Sequence, residues 1–337
     1  MVGLTPMLPI GVIVPTRNSV SLLADHLASM RPWLDLVEEV VVVDSFSTDG
    51  TLERIQADLH HPQLQIIQHP PGLYQSWNHG IRQLRAEYCY VSTVGETITA
   101  EGLRHLAELM RTLHCDVVIS RPEFVDVNGR PMRPSNWPID DILGSLRASE
   151  PLALEGAALF FFTLLNYGEA ILGSSASNLY RTHCLQENPF PVDYGTAGDG
   201  GWGLEHCCHI RLGVTPRSFS TFREHPKSYA RAEYAVDGVR QRMLDRIRRT
   251  IRGQAENNPA VAEQARQLQV DEIIRLLEAK LRYQQKLEQC RHKAWPWSLN
   301  PTAWLARGLR SAKARELARL KARGLTILFP PKNTRRD

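Results

Sequence analysis

Three apolar runs in the first hundred residues each end in a cluster of polar side chains. They are Pro15-Thr16-Arg17-Asn18, Asp44-Ser45-Phe46-Ser47-Thr48-Asp49-Gly50 and Thr93-Val94-Gly95-Glu96. A carboxylate at a strand end, such as Asp44, accepts hydrogen bonds from a ribose hydroxyl or a base N–H. A Ser/Thr/Gly loop that runs into a helix N-terminus presents donors to phosphate oxygens. The same loop has a plainer use, since Asp49 or Thr48 can simply cap the helix that begins near Thr51. Further on, Asp199 lies in Gly198-Asp199-Gly200-Gly201-Trp202. Glycines there permit a close backbone approach to a substrate, while an Asp among glycines also serves as ordinary turn chemistry. His206-Cys207-Cys208-His209 has the residue types of a metal centre. Adjacent helical side chains point about 100° apart, so four in a row do not converge on one ion.

These groups need a scaffold, and the apolar spacing supplies one. Ile10–Pro15 and Glu39–Asp44 are short β-branched runs that read as strands buried on both faces. Leu22, Leu23, Leu27 and Met30 recur at helical spacing within Ser21–Trp33. Helix over Thr51–Leu59, strand over Leu64–Gln68, helix over Trp77–Leu84 and strand over Tyr88–Ser92 continue the alternation. The pattern predicts an α/β fold with a doubly wound, mostly parallel sheet flanked by helices, whose ligands sit beyond the carboxyl ends of the strands. A helix follows at Glu101–Leu113, a strand at Asp116–Ser120 and an Asn-Gly hairpin turn at Asp126–Arg130. Residues 131–176 read as irregular, Ser177–Arg181 as a short ordered segment, and 185–203 as loop. Beyond Tyr229 the texture becomes long helix, at Val239–Ile251, Pro259–Gln289 and the basic stretch Ala303–Leu320. The division therefore falls near residue 236, with a domain over 1–236 and a basic helical C-terminal extension over 237–337.

The 337 residues carry 40 Lys+Arg against 36 Asp+Glu, a net of +4, and 43% are hydrophobic. That composition excludes wholesale disorder and collagen-like repetition, and leaves ample material for a core. The charge is unevenly spread. Residues 1–239 hold 17 basic and 27 acidic side chains, a net of −10, whereas 240–337 hold 23 and 9, a net of +14. The start, Met1 to Pro9, does not read as a secretory signal. The most apolar run, Gly156–Leu165, is about half the roughly 20 residues a bilayer demands, and reads as a buried helix or the wall of an acceptor pocket. Six Cys without CxxC spacing read as reduced thiols, consistent with a cytoplasmic-side protein.

The order of the motifs, VIVPTRN, then VVVVDSFSTDGT, then GLYQSWNHGI, then a strand ending in TVGET, resembles the family 2 glycosyltransferases. The resemblance is firm over roughly residues 9–100 and weaker to about 230, where SNLYR, GDGGW and REHPKSYA stand. It implies the GT-A fold and a nucleoside-diphosphate-sugar donor. No Gly-x-Gly-x-x-Gly follows the first strand, which argues against a dinucleotide-binding protein. By the resemblance, Pro15, Thr16, Arg17 and Asn18 line the nucleobase pocket. Asp44 binds base or ribose, with Ser45, Ser47 and Asp49 nearby, and Gly72, Asn78 and Gly80 shape the diphosphate and sugar pocket. Members of the family usually carry an Asp-x-Asp signature on the fourth strand to hold a divalent ion. Here only Glu96 stands there, so the implied Mg²⁺ or Mn²⁺ rests on Glu96, joined by His225 of the REH motif. Asp199 occupies the place of the general base in an inverting transfer, with Asp193 and then Glu205 behind it. Trp202 is open to two roles, stacking on a sugar or core packing.

The implied partners are a nucleoside-diphosphate sugar and a hydroxyl acceptor, either a saccharide or a lipid-linked glycan. Residues 295–323, with Trp295, Trp297 and Trp304 among many basic residues, read as a peripheral contact with the inner face of a membrane. The helices over 239–290 read instead as docked, through Ile273, Leu277 and Leu281, on the body or on a second copy in a homo-oligomer. No nucleic-acid recognition motif is visible. The shortened metal signature also admits another class, a non-catalytic nucleotide-sugar-binding scaffold.

Overall fold

The computed structural model describes residues 7–132, 137–167, 169, 171–223, 239–291 and 301–330. Its centre is an eight-stranded sheet in the order β3-β2-β1-β4-β9-β6-β10-β8. The strands are β1 Leu8–Thr16, β2 Val37–Asp44, β3 Leu64–Gln68, β4 Tyr88–Val91, β6 Val117–Ser120, β8 Leu152–Glu155, β9 Asn178–Arg181 and β10 Arg211–Thr215. β1 pairs in parallel with β2 and β4, β2 with β3, and β6 with β10. β9 runs antiparallel to both of its neighbours, β4 and β6, and β8 runs antiparallel to β10. A smaller sheet holds β5 Thr97–Ile98, β7 Glu123–Val125 and β11 Ser220–Arg223, with β11 in the middle. The expected α/β architecture with a mostly parallel sheet is therefore present.

Alternation explains the layers. Ile10, Val12, Val14, Val40 and Val42 face one side, where they pack with Leu23, Leu27, Met30 and Trp33 of α1 (Val20–Leu34). Ile55 of α2 (Thr51–Asp58) and Leu103, Leu106 and Met110 of α4 (Ala100–Leu113) complete that layer. Ile13, Val41 and Val43 face the other side, against Tyr74, Trp77 and Ile81 of α3 (Leu73–Ile81). Strands that are apolar on both faces are stable only when both faces are covered.

Several expectations shift. α3 begins four residues before the Trp77 start expected from spacing, because Gly72 precedes it and Leu73 and Tyr74 already belong to the helix. The supposedly irregular 131–176 contains α5 (Pro138–Leu146), β8 and α6 (Gly156–Leu165). Phe160, Phe161 and Phe162 of α6 are wholly buried, so this apolar run is a core helix. The 185–203 stretch begins inside α7 (Thr182–Glu187) and ends inside α8 (Gly198–His206), so the glycine-rich motif is a helical first turn rather than a loop. The hairpin turn at Asp126–Arg130 is present, closed by Asp126 N–H to the Arg130 carbonyl at 2.9 Å.

The C-terminal helices are α9 (Val239–Asn257), α10 (Pro259–Gln267), α11 (Val270–Arg291) and α12 (Pro301–Leu328). The single helix expected over 259–289 breaks between α10 and α11, where Gln269 takes a positive φ of 54°. Ile247, Ile251, Val261, Ile273, Ile274 and Leu277 are buried in the same core as α3, α6 and α8. Docking of 239–290 on the body is thus what the structure shows, and the extension shares the body's core. The Leu281 side chain and residues 292–300, with Trp295 and Trp297, lie outside the described residues, as does the side chain of Trp304. Among the described residues no helix is long and apolar enough to cross a membrane.

Gly80 sets how closely α3 approaches the sheet. A Cβ there would lie 2.7 Å from Val43 Cγ2 and 3.2 Å from Ile13 Cγ2. Gly80→Ala should therefore destabilise the fold by about 1–3 kcal/mol through overpacking. Urea unfolding would check this, and an unchanged midpoint would show that the layers can part without cost.

Candidate active site

The carboxyl ends of β1, β2 and β4 open on one side of the sheet, and the first two are laced together. Asp44 is fully buried. Its Oδ1 accepts from Thr16 Oγ1 at 3.2 Å and from Ser47 Oγ at 2.5 Å. Its Oδ2 accepts from Ser47 N–H at 3.0 Å and Gln68 Nε2 at 3.3 Å. Four donors make burial of a charged group tolerable. They also place the carboxylate beneath the mouth rather than on its rim. Asp49 is used in the same way, since it accepts from Val20 N–H at 3.1 Å and from Thr51 N–H and Oγ1 at 3.1 and 2.6 Å. Desolvation, the largest single influence, pushes its pKa up, but the bonds together outweigh it and hold the pKa low. The capping role considered for Asp49 is the one observed, and it ties the starts of α1 and α2 together.

Asn18 completes the lacing. Its N–H donates to Ser47 Oγ at 3.0 Å and its Oδ1 accepts from Thr48 N–H at 2.9 Å. Asn18 and Phe46 both hold positive φ, 46° and 52°. That conformation costs a non-glycine residue about 1–2 kcal/mol and gathers at functional sites. Phe46 is 52% exposed despite its large ring. The surface a ligand meets here is thus made by Arg17, Asn18, Phe46 and Thr48, all exposed, with Pro15 half-buried behind them. Ser45 points inward instead, its hydroxyl 3.0 Å from that of Ser76.

Two sequence-derived residues of the expected diphosphate pocket, Asn78 and Gly80, act as scaffold. Asn78 is buried and spends its amide on Phe190, donating to the carbonyl at 2.8 Å and accepting from the N–H at 2.9 Å. Gly80 faces the sheet. Gly72 precedes α3, where a Cβ would meet only the Gln75 side chain. The reason is geometric: spacing along α3 cannot show which of its faces the sheet covers.

The third junction is a tight turn in which Glu96 N–H donates to the Thr93 carbonyl at 3.0 Å and Gly95 takes φ 97°. The turn raises Glu96 to meet Ser174, whose hydroxyl donates to Oε2 at 2.6 Å. Burial pushes the Glu96 carboxyl up to about 7, against the pull of the Ser174 bond, and the charge of Asp199 adds to the rise. The charge of Asp199, 103 residues away in sequence, is thus felt at Glu96. Burial likewise lifts Asp199 to about 6, opposed by the Gly200 N–H at 2.7 Å and the Tyr74 hydroxyl at 2.9 Å. The Tyr74 proton is shared with the Thr196 carbonyl, 3.1 Å away. Gly198 makes this contact possible, since a Cβ there would sit 2.4 Å from the Tyr74 ring.

The segment leading to Asp199 is held from two sides. α3 grips Phe190 through Asn78. On the other flank α9 reaches Tyr194, whose hydroxyl lies 2.9 Å from Thr250 Oγ1 and whose ring lies 4.1 Å under the Arg246 guanidinium. Asp193 pairs with the same Arg246, and Glu205 lies 4.0 Å from it. The two fallback bases are thus committed to a guanidinium. Trp202 is wholly buried and donates to the Asn188 carbonyl at 2.6 Å, which settles it as core. Cys207 and Cys208 lie with sulfurs 4.0 Å apart, and His206 packs on Trp202. Among the described residues no group of three or more His, Cys, Asp or Glu is placed to hold a metal. His225 lies outside the described residues. Two residues that matter here stood outside the expected site: Tyr74, which the GLYQSWNHGI motif contains but which reads as core, and Ser174. Only their contacts across more than 70 residues of chain reveal them.

Comparison with known proteins follows the same lines. Residues 11–167 match the family described as Glycosyl transferase family 2. Over 202 residues the chain is 28% identical to the poly(ribitol-phosphate) beta-N-acetylglucosaminyltransferase TarS of Staphylococcus aureus, strain Mu50 / ATCC 700699, covering 57% of this chain and 31% of that protein. The chain thus spans about a third of the length of this curated relative. Among solved structures, residues 1–349 of S. aureus TarS in complex with UDP-GlcNAc align with a TM-score of 0.58 at 18% identity, over 95% of this chain and 91% of that one. A mannosyltransferase from Pyrobaculum calidifontis in complex with GDP-Man and Mn²⁺ gives 0.52 at 17% identity, over 96% and 88%. At such identities the likeness establishes a shared fold.

A carboxyl whose folded pKa is raised contributes stability below its unfolded pKa and loses it as pH rises through the folded value. Glu96, lifted to about 7, should therefore burden the ligand-free protein at pH 8 and not at pH 4. Glu96→Gln keeps an acceptor for Ser174 and removes the charge. It should match wild type at pH 4 and exceed it at pH 8 by on the order of 2 kcal/mol. Melts in metal-free buffer would read this, and a variant less stable at pH 8 would contradict it.

Proposed function

The chain carries a glycosyltransferase family 2 domain over residues 11–167, and from that premise we propose that it moves a sugar from a nucleoside-diphosphate sugar to a hydroxyl acceptor with inversion at the anomeric carbon. The observation that carries the reading is the placing of two desolvated carboxyls by the fold: Glu96, in the turn after β4 and bonded to Ser174, feels the charge of Asp199, which opens α8 and is held by Tyr74. Perturbed carboxylates at a strand-end mouth are expected where protons and phosphate charge are handled.

The roles follow from position. Arg17, Asn18 and Phe46 form the rim that receives the nucleoside, with Thr16, Asp44, Ser45, Ser47 and Asp49 holding that rim in shape. Phe46 offers an open aromatic face for a base. Asp199 takes the proton of the acceptor hydroxyl while that oxygen bonds to the anomeric carbon and the bond from that carbon to the diphosphate breaks. A base of pKa about 6 is ionised at neutral pH and close enough to that pH to accept a proton in the transition state. Tyr74 holds Asp199 in place and favours its charged form. TarS and the Pyrobaculum mannosyltransferase are solved with UDP-GlcNAc and with GDP-Man and Mn²⁺, which supports donors of this class.

Glu96 fits a hard divalent ion: it is a carboxylate with no basic side chain acting on it, and Mg²⁺-type sites are commonly built from one or two carboxylates and substrate phosphates. Such an ion, Mg²⁺ or Mn²⁺, would offset the charge that builds on the departing diphosphate. His225 remains a proposed second ligand.

Asp199→Asn should lower transfer by about 10²–10⁴-fold while nucleotide affinity by calorimetry stays within about threefold. Turnover within a few-fold of wild type would remove Asp199 from the mechanism. Binding without any release of nucleoside diphosphate, tried with several donors and Mn²⁺, would favour the scaffold reading. In Tyr74→Phe the charged form of Asp199 loses a donor, so the acid limb of the kcat/KM profile should move to higher pH. A limb that stays in place would show that Tyr74 does not touch the titration that matters.

A further inference from the structure

Helix α1 puts a histidine where the rest of its inner face is hydrocarbon. Leu23, Leu27, Met30 and Trp33 are buried there, and His26, 2% exposed, stands among them. Its Nε2 lies 3.2 Å from the hydroxyl of Ser92, the residue that follows β4. Burial pushes its pKa down to about 4, opposed by a hydrogen bond to the Glu96 backbone. Nδ1 is left without a partner of full hydrogen-bond geometry.

Packing alone does not account for this choice. A buried polar group costs free energy that its hydrogen bonds must offset, and here one nitrogen offsets little. A leucine would fill the same layer with Leu23, Leu27 and Met30 at no such cost. Departures of this kind are expected where a site needs them. What His26 touches is the chain from Ser92 to Glu96, including the turn that raises Glu96 to Ser174. Leu22, one helical turn earlier and on the same face, supports that turn as well, since a Cβ on Gly95 would lie 3.6 Å from Leu22 Cδ1. Ser92 N–H donates to the Ile13 carbonyl at 2.9 Å, so the start of the turn is also fixed on β1. At its other end α1 belongs to the nucleoside rim: Ser19 N–H donates to Thr51 Oγ1 at 2.8 Å and Val20 N–H to Asp49 Oδ2 at 3.1 Å. One helix therefore joins the rim to the turn that carries the carboxylate.

We propose that His26 is a positioning residue for the divalent ion: it braces the turn from beneath and so fixes the Glu96 carboxylate that takes the ion. This rests on the reading of Glu96 as the ion's ligand. His26 acts through the turn, as the outer partners of metal ligands do.

The test is calorimetric binding of UDP and of GDP to the full chain, each with and without Mn²⁺. Wild type should bind one of them, and more tightly with the ion. In His26→Leu the ion-free affinity should stay within about twofold of wild type, while the gain from Mn²⁺ shrinks about 10-fold. The midpoint of its urea unfolding should equal or exceed that of wild type. His26→Gln, which keeps a hydrogen-bonding atom near the place of Nε2, should restore most of the gain, and Ser92→Ala should lose part of it. Glu96→Gln is the reference and should show no gain. If Glu96→Gln loses the gain and His26→Leu keeps it, the brace is refuted and the ion site stands. A lower urea midpoint with an unchanged gain would likewise make His26 a core residue only. If Glu96→Gln keeps the gain, or wild type shows none with either nucleotide, the reading of Glu96 as ligand fails and takes the brace with it. Should His26→Leu not fold, Ser92→Ala decides, and an undiminished gain there overturns the proposal.

Discussion

The hydrogen bond from Tyr74 to Asp199 joins the two halves of the site. Tyr74 belongs to α3, the helix that covers the nucleotide-side strands, and Asp199 opens α8, on the far side of the sheet's reversed strand. The bond works only because both helices are held rigidly. Gly80 lets α3 lie on Val43 and Ile13, Asn78 fastens α3 to the Phe190 backbone, and Gly198 gives the Tyr74 ring room. Each of these contacts bridges more than 25 residues of sequence. The position of Asp199 relative to the strand ends is therefore a property of the packed whole rather than of any motif.

What the site costs is visible in its titration. Glu96 and Asp199 are both kept from water, and the Asp199 charge makes the rise at Glu96 larger. No guanidinium or ammonium of the described residues acts on either one. In a part of the fold chosen for stability, such a pair would be neutralised or replaced. Its presence at a mouth is what an arrangement awaiting a cation or a proton looks like. The loops around it are costly too, since Asn18 and Phe46 hold left-handed backbone and are fixed by the network around Asp44.

Much of this was legible in the sequence, and the reasons differ by level. The β-branched runs Ile10–Pro15 and Glu39–Asp44 announced a sheet buried on both faces, and the strand-end rule then directed attention to the loops that follow them. Glu96 and Asp199 could be singled out because their motifs stand in a recognisable order. The failures have a common cause. Asn78 and Gly80 were assigned to the pocket because a motif marks residues and not the faces on which they lie. Within residues 131–176 only the apolar run that forms α6 stood out, as a buried helix, while α5 and β8 are too short to show a clear period. The glycines of GDGGW suggested a loop, yet they form a helical turn because the rings of Tyr74 and Tyr194 press against them. Tyr74 read only as core and Ser174 went unmarked, since a pairwise contact between distant segments leaves no local pattern.

The reversed strand β9 bears on how the molecule comes to exist. It arrives at residue 178, yet it occupies the gap between β4, complete by residue 91, and β6, complete by residue 120. A nascent chain still short of that point has the β3-β2-β1-β4 fragment with a bare edge at β4, and a β6 with neither of its sheet neighbours, since β10 comes later still at residues 211–215. Closure must wait for a late piece, which raises contact order and slows the final assembly. Until then the unpaired rims of β4 and β6 are templates for a neighbouring copy on the same polysome. Chaperone dependence during synthesis is the burden this topology places on the cell that makes it.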